Sequence, residues 1–75
     1  MIIYGSSQCP DTKACLNAAQ ENKLLFDFRD IAELPFLKEF LAFRDHSPVF
    51  EPVKAAGGIG IPFIIRDDGS QSFEL

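Results

Sequence analysis

The chain opens on an apolar run, Met1-Ile2-Ile3-Tyr4, followed by Gly5-Ser6-Ser7, the pattern of a buried strand running into a turn. From Pro10 to about Asn22 the positions Ala14, Cys15, Ala18 and Ala19 recur at helical spacing, with Lys13, Asn17, Gln20 and Glu21 opposite. They predict a helix whose small-residue face can lie close on a sheet. Leu24 through Ile31 is apolar at first and then alternates, which predicts a second strand. Strand, helix and strand make a right-handed crossover with the two strands parallel. From Glu33 to about Asp45, Leu34, Leu37, Phe40, Leu41 and Phe43 outline a second helix, with Pro35 in its first turn. Lys38, Glu39, Arg44 and Asp45 read as its solvated side, and His46 as a cap that complements the helix dipole.

Residues 47 to 60 are irregular in pattern, with Pro48, Pro52 and the run Ala55-Ala56-Gly57-Gly58-Ile59-Gly60; Phe50, Val53 and Ala56 fit one short apolar-faced turn of helix. These glycines precede a strand instead of opening a helix, and no Lys-Ser/Thr follows, so they are turn residues and not a phosphate loop. Ile61-Pro62-Phe63-Ile64-Ile65 predicts a third strand, Asp67-Asp68-Gly69 a hairpin turn, and Ser70 to Phe73 the returning fourth strand. A proline at a strand start belongs at an edge, a bulge or a special turn, and its X-Pro bond is a candidate for the cis isomer.

With 75 residues the chain is expected to form one domain, 1–75, and eight Phe among 47% hydrophobic residues supply a dense core without disulfide staples. Two cysteines and a first strand that begins at Met1, leaving no room for a leader, point to a reducing, cytoplasmic setting. No apolar run approaches the roughly 18 residues of a membrane span. A net charge of −4 with scattered Lys and Arg offers no basic stripe, so neither nucleic acid nor membrane is expected as a partner.

The chemistry falls on Ser7-Gln8-Cys9-Pro10-Asp11-Thr12. Pro10 suits the first helical position, which puts Cys9 at or next to the N-cap. Free backbone N–H groups and the positive helix end there favour a thiolate, the nucleophile of thiol–disulfide exchange. Asp11 opposes this with a negative charge in the same turn, so a moderately acidic thiol is expected. Cys15 lies six positions after Cys9, about 600° round a helix and roughly 9 Å along it. A Cys9–Cys15 bridge would need the first turn unwound, since disulfide geometry wants Cα atoms within roughly 7 Å. Cys15 reads as a buried structural thiol, with a resolving cysteine used after local unfolding as the alternative.

The order strand, Cys-Pro helix, strand, helix, strand beginning Ile-Pro, hairpin strand resembles the thioredoxin fold, and most closely the glutaredoxins. The stretch from Leu37 through Gly69, with Leu37-Lys38-Glu39-Phe40-Leu41, Arg44-Asp45, Gly58-Ile59-Gly60-Ile61-Pro62 and Asp68-Gly69, is similar to bacterial glutaredoxin-related proteins. The resemblance implies an α/β, thioredoxin-like βαβαββ fold, a four-stranded mixed sheet with the C-terminal helix missing. It implies Cys9 as nucleophile, Pro62 as a cis-proline lying against it, and Ile61 offering its backbone to a peptide-like thiol in a short β-pair. Ser7 and Gln8 complete the expected substrate-binding set, and Thr12 joins Cys9 in the catalytic one. Thr12 stands where dithiol members have a second cysteine, and its hydroxyl is within reach of the thiolate.

Two departures weaken glutathione recognition: Ser6 replaces the basic residue often found ahead of the motif, and the glycine pair and acid beyond the fourth strand have no counterpart before Leu75. Without the last helix, alternate side chains of the first, third and fourth strands are expected to face water. A homodimer or another partner is then expected over that face, unless residues 47 to 60 fold across it.

The expected function is a monothiol thiol–disulfide oxidoreductase acting on protein or small-molecule disulfides. No cofactor is bound, no metal site is expected, and glutathione or another low-molecular-weight thiol serves as cosubstrate. The alternative is a non-enzymatic, thioredoxin-fold protein-binding module. Iron–sulfur carriage between two subunits ranks last, because Pro10 follows the cysteine where such carriers usually have glycine.

Overall fold

A computed structural model describes residues 1–75. The elements run β1 (Ile2–Gly5), α1 (Pro10–Glu21), β2 (Asp27–Asp30), α2 (Leu34–His46), a 3₁₀ turn (Pro48–Phe50), α3 (Glu51–Ala55), β3 (Phe63–Ile65) and β4 (Gln71–Ser72). The strands form one mixed sheet in the order β2-β1-β3-β4. β1 is parallel to β2, and β3 is antiparallel to both β1 and β4. This is an α/β fold with helices on both faces of a four-stranded sheet. No helix is long and apolar enough to cross a membrane.

Strand alternation divides the core. Ile3 and Ile64, cross-strand partners in the β1–β3 register, are fully buried with Ala19 beneath α1. Tyr4 and Phe63, the next pair, point the other way and join Phe40 of α2 and Phe50 of the 3₁₀ turn. Phe63 is the centre of that second cluster: its ring centroid lies 4.7 Å from Phe50, 5.5 Å from Phe43, 5.9 Å from Phe73 and 6.2 Å from Tyr4. Residues 47 to 60 therefore pack on α2's side of the sheet.

Several expectations are corrected. The second strand is shorter than Leu24–Ile31. Lys23 leaves α1 at a φ of 55°, Leu24 N–H donates to Ala19 O, and the register begins at Ile2↔Asp27. Leu24–Phe26 therefore find no partner strand, and Leu25 is 90% exposed. The strand side chains expected to face water are instead covered. α1, with Met1, Phe26 and Phe28 beside it, closes over Ile3 and Ile64, and β4 puts Ser72 on that face, where Arg66 Nη1 donates to its hydroxyl at 2.7 Å.

Nor are Glu39 and Arg44 simply solvated. Tyr4 OH donates to Glu39 Oε1 at 2.7 Å, and Arg29 Nη1 donates to the same oxygen at 2.7 Å and to Tyr4 OH at 3.2 Å. Arg44 reaches from α2 to the loop ahead of β3, donating to the carbonyls of Gly58 at 2.8 Å and Ile59 at 3.0 Å. Sequence periodicity places these residues on a polar face, but it cannot see which distant backbone that face meets.

Two glycines are required by space and conformation. Gly60 has a φ of 95°, and a Cβ there would stand 2.7 Å from Phe50 Cε1. At the end of β1, a Cβ on Gly5 would stand 2.5 Å from Thr12 Cγ2 and 2.7 Å from its Oγ1. β1 and the first turn of α1 thus meet with only the Thr12 side chain between them.

Two measurements check this packing. Gly5→Ala is expected to lower unfolding free energy by about 1–3 kcal/mol, the usual cost of overpacking a filled interior, in urea denaturation. Tyr4 is the one tyrosine and the chain has no tryptophan, so phenolate absorbance reports it alone. Burial first, then the hydrogen bond to Glu39, raise its pKa above 10.0. A raised folded-state value means that the contribution is intact below 10.0 and is lost as pH rises through the folded pKa. The phenolate midpoint should lie above that of the urea-unfolded chain, and stability should fall across the interval.

Candidate functional site

Cys9 is the N-cap of α1, with extended backbone at φ −95° and ψ 121°, and Pro10 holds the first helical position as expected. The fixed φ of proline starts the helix, and its missing N–H would have had no intrahelical acceptor. The turn that delivers Cys9 is closed locally. Cys9 N–H donates to Ser6 O at 3.0 Å, Gln8 N–H to Ser6 Oγ at 3.1 Å, and Lys13 N–H to Cys9 O at 3.0 Å. Ser6 N–H in turn donates to Thr12 Oγ1 at 3.3 Å.

Thr12 is fully buried, so its hydroxyl acts from inside the turn and not from the surface. As a thiol, Cys9 makes no capping hydrogen bond. Its pKa is nevertheless lowered, first by the backbone N–H of Thr12 and next by the Thr12 hydroxyl, with a smaller contribution from the Asp11 N–H. Burial and the Asp11 carboxylate act the other way and are outweighed. The helix end therefore prevails over Asp11, and the opposition anticipated from the sequence is present but minor. Cys15 behaves oppositely: burial raises its pKa. Both cysteines are free and half-buried.

Cys9 opens on a groove of about 410 Å³ walled by Ser6, Gln8, Cys9, Ile31, Ile59 and Ile61. Ile61–Pro62 is a cis peptide bond. Ile61 shares the groove with Cys9, whereas Pro62 is buried and borders a neighbouring cleft of about 540 Å³ with Asp11, Ala14, Cys15 and Glu74. Of the expected binding residues, Gln8 and Ile61 line the groove and Ser7 does not. Ser7 is exposed, and its N–H donates to Asp30 Oδ2 at 3.4 Å.

Asp30 and Arg44 are the residues that sequence reasoning missed. At the end of β2, Asp30 accepts from Ala32 N–H at 2.9 Å as well as from Ser7, tying the Cys9 loop to the turn that carries Ile31. The Ala32 N–H, ahead of the Ser7 contacts, holds the Asp30 carboxyl below its ordinary value. Arg44 fixes the loop that carries Ile59. Asp30 carried one faint signal, an acid at a strand end where turn N–H groups need an acceptor; Arg44 carried none. A larger cavity of about 680 Å³, walled by Met1, Lys23, Leu24, Leu25 and Arg66, lies at the opposite end of β1 and is lined by no cysteine.

No protein-family model matches the chain, and no solved structure matches it. It is 32% identical over 77 residues, covering 99% of this chain and 87% of the relative, to an uncharacterized protein of Haemophilus influenzae. At that identity over nearly the full length of both, the chain belongs to one family with this Haemophilus influenzae protein.

Proposed function

We propose that this protein is a monothiol thiol–disulfide oxidoreductase of glutaredoxin-like type, built on a thioredoxin-like sheet that lacks the C-terminal helix. The observation that carries the reading is Cys9 itself: a thiol of lowered pKa, at the N-cap of α1, on a groove it shares with Ile61. The sheet order β2-β1-β3-β4 and the cis bond before Pro62 agree with the resemblance noted from the Cys-Pro and Ile-Pro motifs.

In the first step the Cys9 thiolate attacks one sulfur of a disulfide. A new S–S bond forms to Cys9, the old S–S bond breaks, and its other sulfur leaves as a thiolate. An external thiolate, glutathione or another low-molecular-weight thiol, then attacks the substrate-derived sulfur and displaces Cys9. A lowered pKa helps here too, because it makes Cys9 the better leaving group. No second thiol stands in the motif, since Thr12 occupies that place and serves to stabilise the thiolate.

The direct test is the pH dependence of alkylation, measured on Cys15→Ser for Cys9 and on Cys9→Ser for Cys15. The Cys9 midpoint should fall below the roughly 8.5 of a free thiol, with appreciable thiolate near neutral pH, and the Cys15 midpoint should lie above it. A Cys9 midpoint at or above that value would leave a non-enzymatic binding module as the better description. Cys9→Ser should also abolish turnover of mixed disulfides, an outcome that a binding module does not require.

Thr12→Val separates the hydroxyl from the helix end. Losing that oxygen should raise the Cys9 midpoint only part of the way toward a free thiol, because the Thr12 N–H remains. It also strands the Ser6 N–H, which should cost about 1–3 kcal/mol of stability in urea denaturation.

A further inference from the structure

Two cavities share Ile61 as a wall, and Cys9 lines one of them. The groove containing Cys9 is walled by Ile31, Ile59 and Ile61 with the small or neutral Ser6 and Gln8. The adjoining cleft, on α1's side, carries two carboxylates, the exposed Asp11 and Glu74. No Lys, Arg or His lines either cavity. Ile59 is 58% exposed beside the nucleophile, on a loop whose carbonyl Arg44 holds in place, so its exposure belongs to a fixed loop. Apolar wall, flanking acids and absent cations together describe a charge-selective surface.

Resting on the oxidoreductase reading, we propose that the disulfide attacked by Cys9 belongs to a polypeptide whose cysteine has apolar or basic neighbours, and not to an anionic low-molecular-weight disulfide such as oxidised glutathione. An apolar neighbour fits against Ile31 and Ile59, and a basic one meets Asp11 and Glu74. An anionic ligand finds no cation and two like charges. The bond changes are those already described: the peptide cysteine's sulfur becomes bonded to Cys9 and its former partner leaves as a thiolate. Glutathione as the second, releasing thiol stays compatible with this, because that step needs no binding of its oxidised form.

The test uses full-length Cys15→Ser protein in single-turnover reactions at neutral pH, with mixed-disulfide formation followed by mass spectrometry. The probes are the symmetric disulfides of acetylated, amidated tripeptides that have leucine, lysine or glutamate on both sides of cysteine, together with oxidised glutathione. Each rate is divided by that of a small free thiolate with the same probe. The leucine and lysine disulfides should react at least about tenfold faster than the glutamate disulfide and oxidised glutathione. Ile59→Lys, a change at an exposed position, should raise the rates of the two anionic probes and lower that of the leucine probe. Equal normalised rates, or oxidised glutathione as the fastest, would overturn the proposal. Neutral dipyridyl disulfide tells the two readings apart. If Cys9 fails to react with it, the oxidoreductase reading falls and this inference with it; if it reacts but shows no peptide preference, only this inference falls.

Discussion

Phe63 is the side chain on which the arrangement turns. It sits in the central antiparallel strand directly after Pro62, is fully buried, and meets aromatic rings from β1, α2, the 3₁₀ turn and the C-terminal segment. Tilted and edge-to-face pairs of this kind each contribute about 0.5–1.5 kcal/mol beyond the area they bury. A chain of this size has little interior to spare, and one aromatic cluster here joins five separate segments. Because Phe63 is held from several directions, Ile61 and Pro62 just ahead of it are placed as well, and with them one wall of the Cys9 groove.

The opposite wall depends on a contact between backbone and side chain. Gly5 ends β1 against Thr12, and the absence of a Cβ lets the first turn of α1 approach the strand. The same Thr12 accepts the Ser6 N–H and stabilises the thiolate through both its N–H and its hydroxyl. Packing and chemistry are therefore coupled at this residue: the close approach that buries Thr12 also sets the position of the donors that act on Cys9. Asp30 secures the outer side of the loop, since its carboxylate takes up N–H groups that neither the strand nor the helix can satisfy.

Charge shows how a local pattern can mislead. On the helix wheel Glu39 and Arg44 belong to a solvated face, and their polarity is what that position allows. In the folded chain Glu39 accepts from the phenol of Tyr4, and Arg44 binds two carbonyls of the loop before β3. Asp11 misled less. Its charge does oppose the thiolate, but its own backbone N–H outweighs that effect, and the Thr12 N–H and hydroxyl lower the pKa further. A charge count in one turn omits the oriented dipoles of the same turn.

What the sequence determined by itself is everything governed by neighbours in the chain. Pro10 starts α1 and makes Cys9 its N-cap; Asp67-Asp68-Gly69 forms the hairpin, with Gly69 N–H on Arg66 O and φ at 87°; Ile61–Pro62 takes the cis form that its place before a strand suggested. These depend on local backbone preferences and short hydrogen bonds that a few residues decide. Only the tertiary structure decided how far β2 extends, since a strand needs a facing backbone and Leu24–Phe26 have none. It likewise decided that α1, with Met1, Phe26 and Phe28, covers Ile3 and Ile64, that Ser7 turns to Asp30, and that Arg44 holds the loop carrying Ile59. Each of these joins residues far apart in the chain, and which of many polar or apolar partners meet is set by the packing of the whole, with Phe63 at its centre.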